Sequence, residues 1–327
     1  MLSLIQWLII FSMANDQVQT VSGPLPVAAM GKTLVHEHVL VDFIGAGQIN
    51  DQRWDRSTVI KKVLPYIRAA KQLGINTMFD CTPAYLGRDP LLLKALADST
   101  GMNFLTNTGL YGAVNNKYLP AYAFTETARQ LADRWIREAE AGIDGTGIRP
   151  GFIKIGVGDS LLTPLHRKLV EAAAMTHLRT GLTICSHTGP AIAAFDEIKV
   201  LQHMGVDPAA FVWVHAQAEK DLGALVKAAK SGAWISLDGI GWGDVSEYLP
   251  KISALKDAGL LRKVLISHDA GWYKPGEYDG GDFNGFTNIS QQLFPALLSK
   301  GYTQKDLDTL LIINPARAFL PQIKKLK

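Results

Sequence analysis

The sequence predicts an α/β protein, a closed TIM (β/α)8 barrel with a short N-terminal β-hairpin. Three observations carry this expectation. Eight short β-rich runs alternate with eight longer helical patterns; that alternation calls for parallel βαβ units, and eight units close a barrel. The first run carries His36-Glu37-His38, where a doubly wound open sheet would be followed by a Gly-rich phosphate turn. Polar residues gather at the C-terminal ends of the runs, the face of a barrel that carries catalysis.

The elements follow in order. Leu2 to Met13 is apolar and the first charged side chain is Asp16. With Ser12-Met13-Ala14 behind it, residues 1–14 read as a short signal peptide, which implies a periplasmic or secreted protein, or else as an extension ahead of a cytoplasmic start at Met13. Residues 15–327 form one barrel domain. Val18 to Pro24 makes a hairpin at the barrel base. Strands are expected over Thr33–Leu40, Asn76–Cys81, Asn103–Asn107, Gly151–Val157, Leu182–His187, Phe211–His215, Ala233–Asp238 and Lys263–Ser267. Helical periodicity fills Thr58–Leu73, Pro90–Thr100, Thr125–Ala141, Pro164–Thr180, Ala191–Met204, Glu219–Ser231, Val245–Ala258 and Thr287–Lys300. A last helix, from Gln304 to about Leu311, precedes Asn314-Pro315. Thr163-Pro164 announces one helix start, and Gly181 and Gly205 mark two ends.

Composition narrows the function. The 327 residues hold 33 Lys and Arg against 30 Asp and Glu, a net charge of +3, too small to argue for nucleic acid or an acidic membrane surface. Hydrophobic residues make up 47% and charged residues 19%, which excludes bulk disorder and implies a large core. Two cysteines, Cys81 and Cys185, exclude a disulfide scaffold and a Cys-based zinc framework; both are expected to be inert buried thiols. No apolar run approaches the ~20 residues of a transmembrane helix.

The chemistry lies at the strand ends. His36 and His38 are two apart, so strand alternation turns both to one face. Lys154 lies inside an apolar strand, His187 and His215 end the fifth and sixth, and Asp269 follows the eighth. Each alone reads as an ordinary hydrogen-bonded residue or cap. Together, four histidines, a lysine and a carboxylate facing one pocket form a nitrogen and oxygen ligand set for zinc, manganese, cobalt or iron. A buried ammonium prefers to be neutral. A neutral lysine can add carbon dioxide, and the resulting carbamate is an anion able to bridge two divalent metals.

With Gly31-Lys32-Thr33-Leu34-Val35-His36-Glu37-His38, Gly151-Phe152-Ile153-Lys154-Ile155-Gly156, Ser186-His187-Thr188-Gly189, Val214-His215-Ala216-Gln217 and Ser267-His268-Asp269, the chain resembles the phosphotriesterase family of the amidohydrolase superfamily from about Gln19 to about Phe319. The resemblance implies a binuclear metal-dependent hydrolase. His36, His38 and Asp269 would hold a buried metal, His187 and His215 a more exposed one, and carboxylated Lys154 with a hydroxide would bridge them. Asp269 would also be the general base. The substrate would be a small molecule, an ester, lactone, phosphotriester or sometimes an amide. Members of the family are often homodimers.

Two positions depart from the organophosphate-degrading members. Gly239 stands where they resemble a relay histidine and where lactonase members resemble an arginine, and Ala216-Gln217-Ala218 lacks the relay acid, with Glu219 the nearest carboxylate. Tyr111 resembles the pocket tyrosine of the lactonase-like branch. These features favour a lactone or carboxylic ester over a phosphotriester. The long segment from Gly271 to Phe286, with Gly276, Gly280, Gly281 and Gly285, is expected to be a mobile lid, with Trp242, Trp272 and Tyr273 lining the substrate pocket. Arg88, Lys117 and Lys274 are expected in solvent, His166, His177 and His203 on helix surfaces, and His268 turned away from the pocket. A Schiff-base aldolase using Lys154 and a non-catalytic scaffold are the rival classes.

Overall fold

The computed structural model describes residues 16–326; the signal-peptide reading of residues 1–14 lies outside them. β1 (Gln17–Thr20) and β2 (Gly23–Pro26) pair as an antiparallel hairpin. The barrel strands are β3 (Lys32–Leu40), β4 (Ile75–Asp80), β5 (Asn103–Leu105) with its continuation β6 (Asn107–Thr108), β7 (Phe152–Gly156), β8 (Ile184–His187), β9 (Phe211–Val214), β10 (Trp234–Leu237) and β11 (Val264–Ile266). β3, β4 and β5 pair in parallel, and β6 to β11 pair in parallel in sequence order. The seam between β11 and β3 closes through Asp269 N–H on the His36 carbonyl (3.0 Å) and His36 N–H on Ser267 Oγ (2.9 Å). The result is the predicted barrel.

Helices sheathe the outside for reasons visible in their sequence. In Arg56–Gln72, Val59, Val63, Ile67 and Ala70 are buried, a spacing that forms one apolar stripe. Asp55, Asp89, Thr163 and Asp221 cap helix starts by accepting backbone N–H bonds. The expected helix over Thr287–Lys300 instead opens with a π-helical stretch, Ile289–Leu293, before Phe294–Ser299. The helix from Gln304 does not stop before Asn314-Pro315: a second π-helical stretch, Thr309–Ile313, carries it into Asn314–Phe319. Both stretches end just ahead of a proline, Pro295 and Pro315. A proline removes one donor from the ladder, and the wider turn accommodates the gap.

Three expectations of exposure are overturned. His166 is buried with Nε2 on the Gly112 carbonyl and Asn116 Oδ1, both at 3.0 Å. His177 is buried too; its Nδ1 meets the Leu182 carbonyl at 2.8 Å and its Nε2 accepts the Lys324 N–H at 2.9 Å. Arg88 is buried in a bidentate pair with Glu138 at 2.8 Å. In each case a polar partner on a neighbouring element made burial possible, and that partner is remote in sequence.

The segment predicted to be a free lid is tied down at its start. Residues Gly271–Tyr273 form β12, parallel to β3, with Gly271 opposite His38 and Tyr273 opposite Leu40. Gly271 has φ +104°, and a Cβ there would lie 1.8 Å from the His38 carbonyl oxygen, so only glycine lets the two backbones meet.

Below the catalytic face the barrel interior is apolar. Phe319, from the last helical turn, packs on Phe79 and Phe152 with ring centroids 4.4 and 6.0 Å away. Phe319→Ala should lower stability by about 3–5 kcal/mol in urea denaturation. Activity per folded molecule should persist, because the ring lies at the opposite end of the barrel from the strand-end histidines.

Candidate metal centre

Plain alternation along a strand does not by itself aim all six predicted residues. On β3, a register irregularity between Leu34 and Glu37 lets Val35 join the apolar interior while His36 and His38 line the pocket above it. On β9 the inward position is Val214; His215 follows with φ +61°, and that left-handed backbone turns its ring inward as well. Asp269 sits just beyond β11 with φ +51°. Lys154 rises from β7 and His187 ends β8. The six side chains line one cavity.

Their hydrogen bonds assign the protons. His36 Nδ1 meets Asp238 Oδ2 at 3.0 Å and His215 Nδ1 meets Asp238 Oδ1 at 2.8 Å. The carboxylate can only accept, so both imidazoles donate from Nδ1. His38 Nδ1 meets Thr82 Oγ1 at 2.8 Å while that hydroxyl donates to the Leu40 carbonyl at 3.0 Å, so His38 also donates from Nδ1. In the neutral rings the Nε2 atoms therefore carry the lone pairs. Those of His36 and His38 face each other at 3.2 Å, and Asp269 Oδ1 lies 3.1 Å from one and 3.5 Å from the other. With both rings neutral, three lone-pair donors converge there. Such a cluster fits a divalent cation, with His36, His38 and Asp269 as its ligands. Lys154 Nζ is 3.5 Å from His36 Nε2, and the His187 and His215 rings lie 4.4 Å apart on the other side, where a second ion would be held.

The field of the site is strongly polarised. Burial and Lys154 push His36 down to about 4, and burial with the neighbouring His215 holds His187 well below the usual histidine range. Burial also pulls on His215, yet Asp238 outweighs it and holds that ring above its ordinary value. Burial would raise Asp238 and Asp269, but the surrounding histidines keep both below the usual carboxylate range, Asp238 far below.

Several of the residues that build this geometry were not among those singled out from the sequence. Asp238 fastens one histidine of each pair. It follows directly on β10, and its place at a strand end was the available signal. Glu37, between the two β3 histidines, faces away from the pocket and is buried. Its Oε1 accepts Ser267 Oγ–H (2.8 Å), His268 N–H (3.0 Å) and His268 Nδ1–H (2.8 Å), and its Oε2 accepts Ala270 N–H (3.1 Å). Those bonds grip both sides of Asp269. Behind His187, buried Glu197 contacts Ser186 Oγ and, at 2.6 Å, Thr188 Oγ1. Glu197 arrives from the helix Ala191–His203, which follows the Ser186–Gly189 motif it braces.

A family model described as the phosphotriesterase family matches residues 16–319. The chain belongs to the phosphotriesterase family. It is 30% identical over 296 residues to a phosphotriesterase homology protein of Escherichia coli (strain K12), covering 88% of this chain and 98% of that one. Among solved structures it is similar to an organophosphorus hydrolase from Deinococcus radiodurans, with a TM-score of 0.84, 28% identity, and 94% and 97% of the two chains covered. A mutant of a PTE-like lactonase from the same organism matches with a TM-score of 0.84 and 27% identity, over 92% and 99%. The phosphotriesterase family is one of metal-dependent hydrolases, and this chain is one of them.

The pocket of this phosphotriesterase-family chain has a volume of about 80 Å³. Besides the six polar residues its walls include Val41, Phe43, Leu86, Tyr111 and Trp272. Tyr111 meets His187 edge-on at 5.0 Å and Trp272 meets His38 edge-on at 5.9 Å. Trp242 and Tyr273, expected to line the pocket, do not. Trp242 is 51% exposed on the rim, edge-on to Trp272 at 5.0 Å. Tyr273 follows Trp272 in β12, so alternation sends its ring to the opposite face, under Gly280. Lys117 sits over Tyr118 and Lys274 beside Glu277. At Gly239, a Cβ would lie 2.7 Å from Gln217 Nε2 and 2.8 Å from the Tyr248 hydroxyl. The volume that a relay histidine would need is filled by Gln217, whose Oε1 accepts the Asp238 N–H at 3.2 Å.

Burial pushes the Glu197 carboxyl up to about 8 from 4.5. Between those values the unfolded chain gives up the proton that the folded chain keeps, so stability falls as pH rises from 4.5 to about 8. Glu197→Gln keeps both hydrogen bonds and removes that slope. Thermal denaturation should show the variant gaining on the parent protein between pH 5 and pH 8.

Proposed function

We propose that the protein hydrolyses lactones or carboxylic esters with two divalent metals, zinc foremost with manganese, cobalt or iron as alternatives. His36, His38 and Asp269 would hold one ion, His187 and His215 the other, and Lys154, carboxylated by carbon dioxide, would serve both. Bound there, the metals would supply Lewis acidity toward the substrate and a lowered pKa for water. Asp269, ionised at neutral pH, accepts the proton. Tyr111 and Trp272 pack the acyl portion between aromatic faces and exclude water. Trp272 Nε1 is buried with no acceptor, which leaves one donor available to a substrate oxygen.

The observation that carries the lactone and ester reading is the pocket itself, small and apolar-walled. A planar acyl group projects two substituents from the reacting carbon. A phosphotriester projects three around a tetrahedron and needs a wider opening. The cavity's lining holds no cation besides Lys154 and the histidines, which favours an uncharged substrate. The lactonase name carried by one similar structure supports the same reading. Phosphotriester hydrolysis is the second reading, supported by the organophosphorus hydrolase name of another. A Schiff-base role for Lys154 loses its ground in a metal-dependent hydrolase.

The deciding experiment is metal content followed by a substrate panel. About two equivalents of transition metal per chain are expected when bicarbonate is present and chelator absent. Lactones and esters should then turn over faster than any phosphotriester; the reverse order would overturn the substrate assignment. Lys154→Ala should lose metal and activity together, and added short carboxylic acids should restore part of both. Full activity in that variant would remove the bridging role. Gly239→His alone should not raise phosphotriesterase activity, because its side chain meets Gln217. Pairing it with Gln217→Ala should admit the ring, and the two variants' kcat/KM values on one phosphotriester test this.

A further inference from the structure

A second cleft lies at the opposite end of the barrel. It is bounded by Ala209, ahead of β9, Trp234, the first residue of β10, and Leu260, ahead of β11. Its volume is about 500 Å³, well above that of the metal pocket. Four cationic side chains line it, Arg262, Lys263, Arg317 and Lys324, and no acidic residue does. Among the described residues none of the four makes an ion pair within 4.0 Å.

The two lysines are held rather than loose. Lys263 Nζ donates to the Gly232 carbonyl at 2.7 Å and lies 4.6 Å from the Trp234 ring centroid. Lys324 Nζ donates to the Ala209 carbonyl at 3.1 Å. The Lys324 backbone is fixed in turn by His177 and by Asp207 N–H on its carbonyl at 3.0 Å. Burial, reinforced by neighbouring cations, lowers both lysines, Lys324 to about 8. Asp207 is the carboxylate whose field reaches them, and its Oδ1 already accepts the Ala209 N–H at 2.8 Å. Four like charges gathered without an ion-pair partner repel one another. A ligand carrying several negative charges would relieve that repulsion. Trp234, Leu260 and Leu320 add an apolar wall beside the charges.

We propose that this basal cleft is a binding site for a small phosphorylated compound, its phosphate groups met by Arg262, Lys263, Arg317 and Lys324. Arginine forks and lysine ammonium groups are the donors that suit phosphate oxygens. The proposal concerns a site at the far end of the barrel and does not rest on the lactone and ester reading.

The test reads the cleft itself, since phosphates also bind metals. The intact metal-loaded protein is acylated at lysines with and without inorganic pyrophosphate or ADP, and rates are followed residue by residue by mass spectrometry. Either probe should slow acylation of Lys263 and Lys324 by about fivefold or more while exposed Lys61 and Lys199 are unchanged. Tighter protection by ADP would assign the apolar wall to an organic moiety, and equal protection would assign recognition to phosphate alone. The double variant Arg262→Gln/Arg317→Gln should need about tenfold more probe. Both arginines are exposed, so the fold should tolerate it. No protection, equal protection by chloride at the same ionic strength, or unchanged protection in the double variant would overturn the proposal.

Discussion

The catalytic end of this barrel depends on one buried carboxylate. Asp238 takes a hydrogen bond from His36 with one oxygen and from His215 with the other, and the two rings belong to opposite halves of the proposed metal pair. A single group therefore fixes two tautomers, two ring orientations and the separation between them. Its charge is stabilised by the rings it orients, so the arrangement is mutual: neutralising Asp238 would free both imidazoles to turn and would leave a buried carboxyl without its partners.

Around that carboxylate the structure adds outer restraints from β3, from the segment after β4 and from the helix after β8. Glu37 grips the backbone on both sides of Asp269. Thr82 and the Leu40 carbonyl fix His38. Glu197 holds the residues that flank His187. The proposed ligating atoms thus depend on groups that never touch the pocket, and two of them, Glu37 and Glu197, are buried acids. Such a shell makes the site rigid before any ion arrives.

Much of this was legible in the sequence. The eight alternations located every barrel strand to within a few residues, because apolar runs bounded by turn residues survive as a signal even when short. The five polar strand ends and the strand-interior Lys154 stood out because, taken together, nothing in a packed barrel explains them. Asp238, Glu37 and Glu197 were harder to see. Asp238 and Glu37 act through partners far off in the chain, and Glu197 reaches back from a helix to the end of the strand before it; no motif spacing marks such pairs. The exposure of His166, His177 and Arg88 was misread for the same reason. Tyr273 was misplaced because a stretch rich in glycine and aromatics reads as loop, whereas its first three residues pair with β3. The left-handed backbones at His215 and Asp269 were not announced by glycine; histidine and aspartate enter that region more readily than most residues, but too rarely for the type alone to mark it.

The Phe319 ring at the barrel base bears on how this protein is made. It packs against Phe79, about 240 positions earlier in the chain. As the polypeptide leaves the ribosome, all eight strands emerge before the side chain that fills the space beneath them. The nascent barrel must therefore wait with an open, greasy floor, and contacts of such long span form slowly. During that interval the floor is a surface for chaperones to shield, and a stalled or truncated chain would keep it exposed.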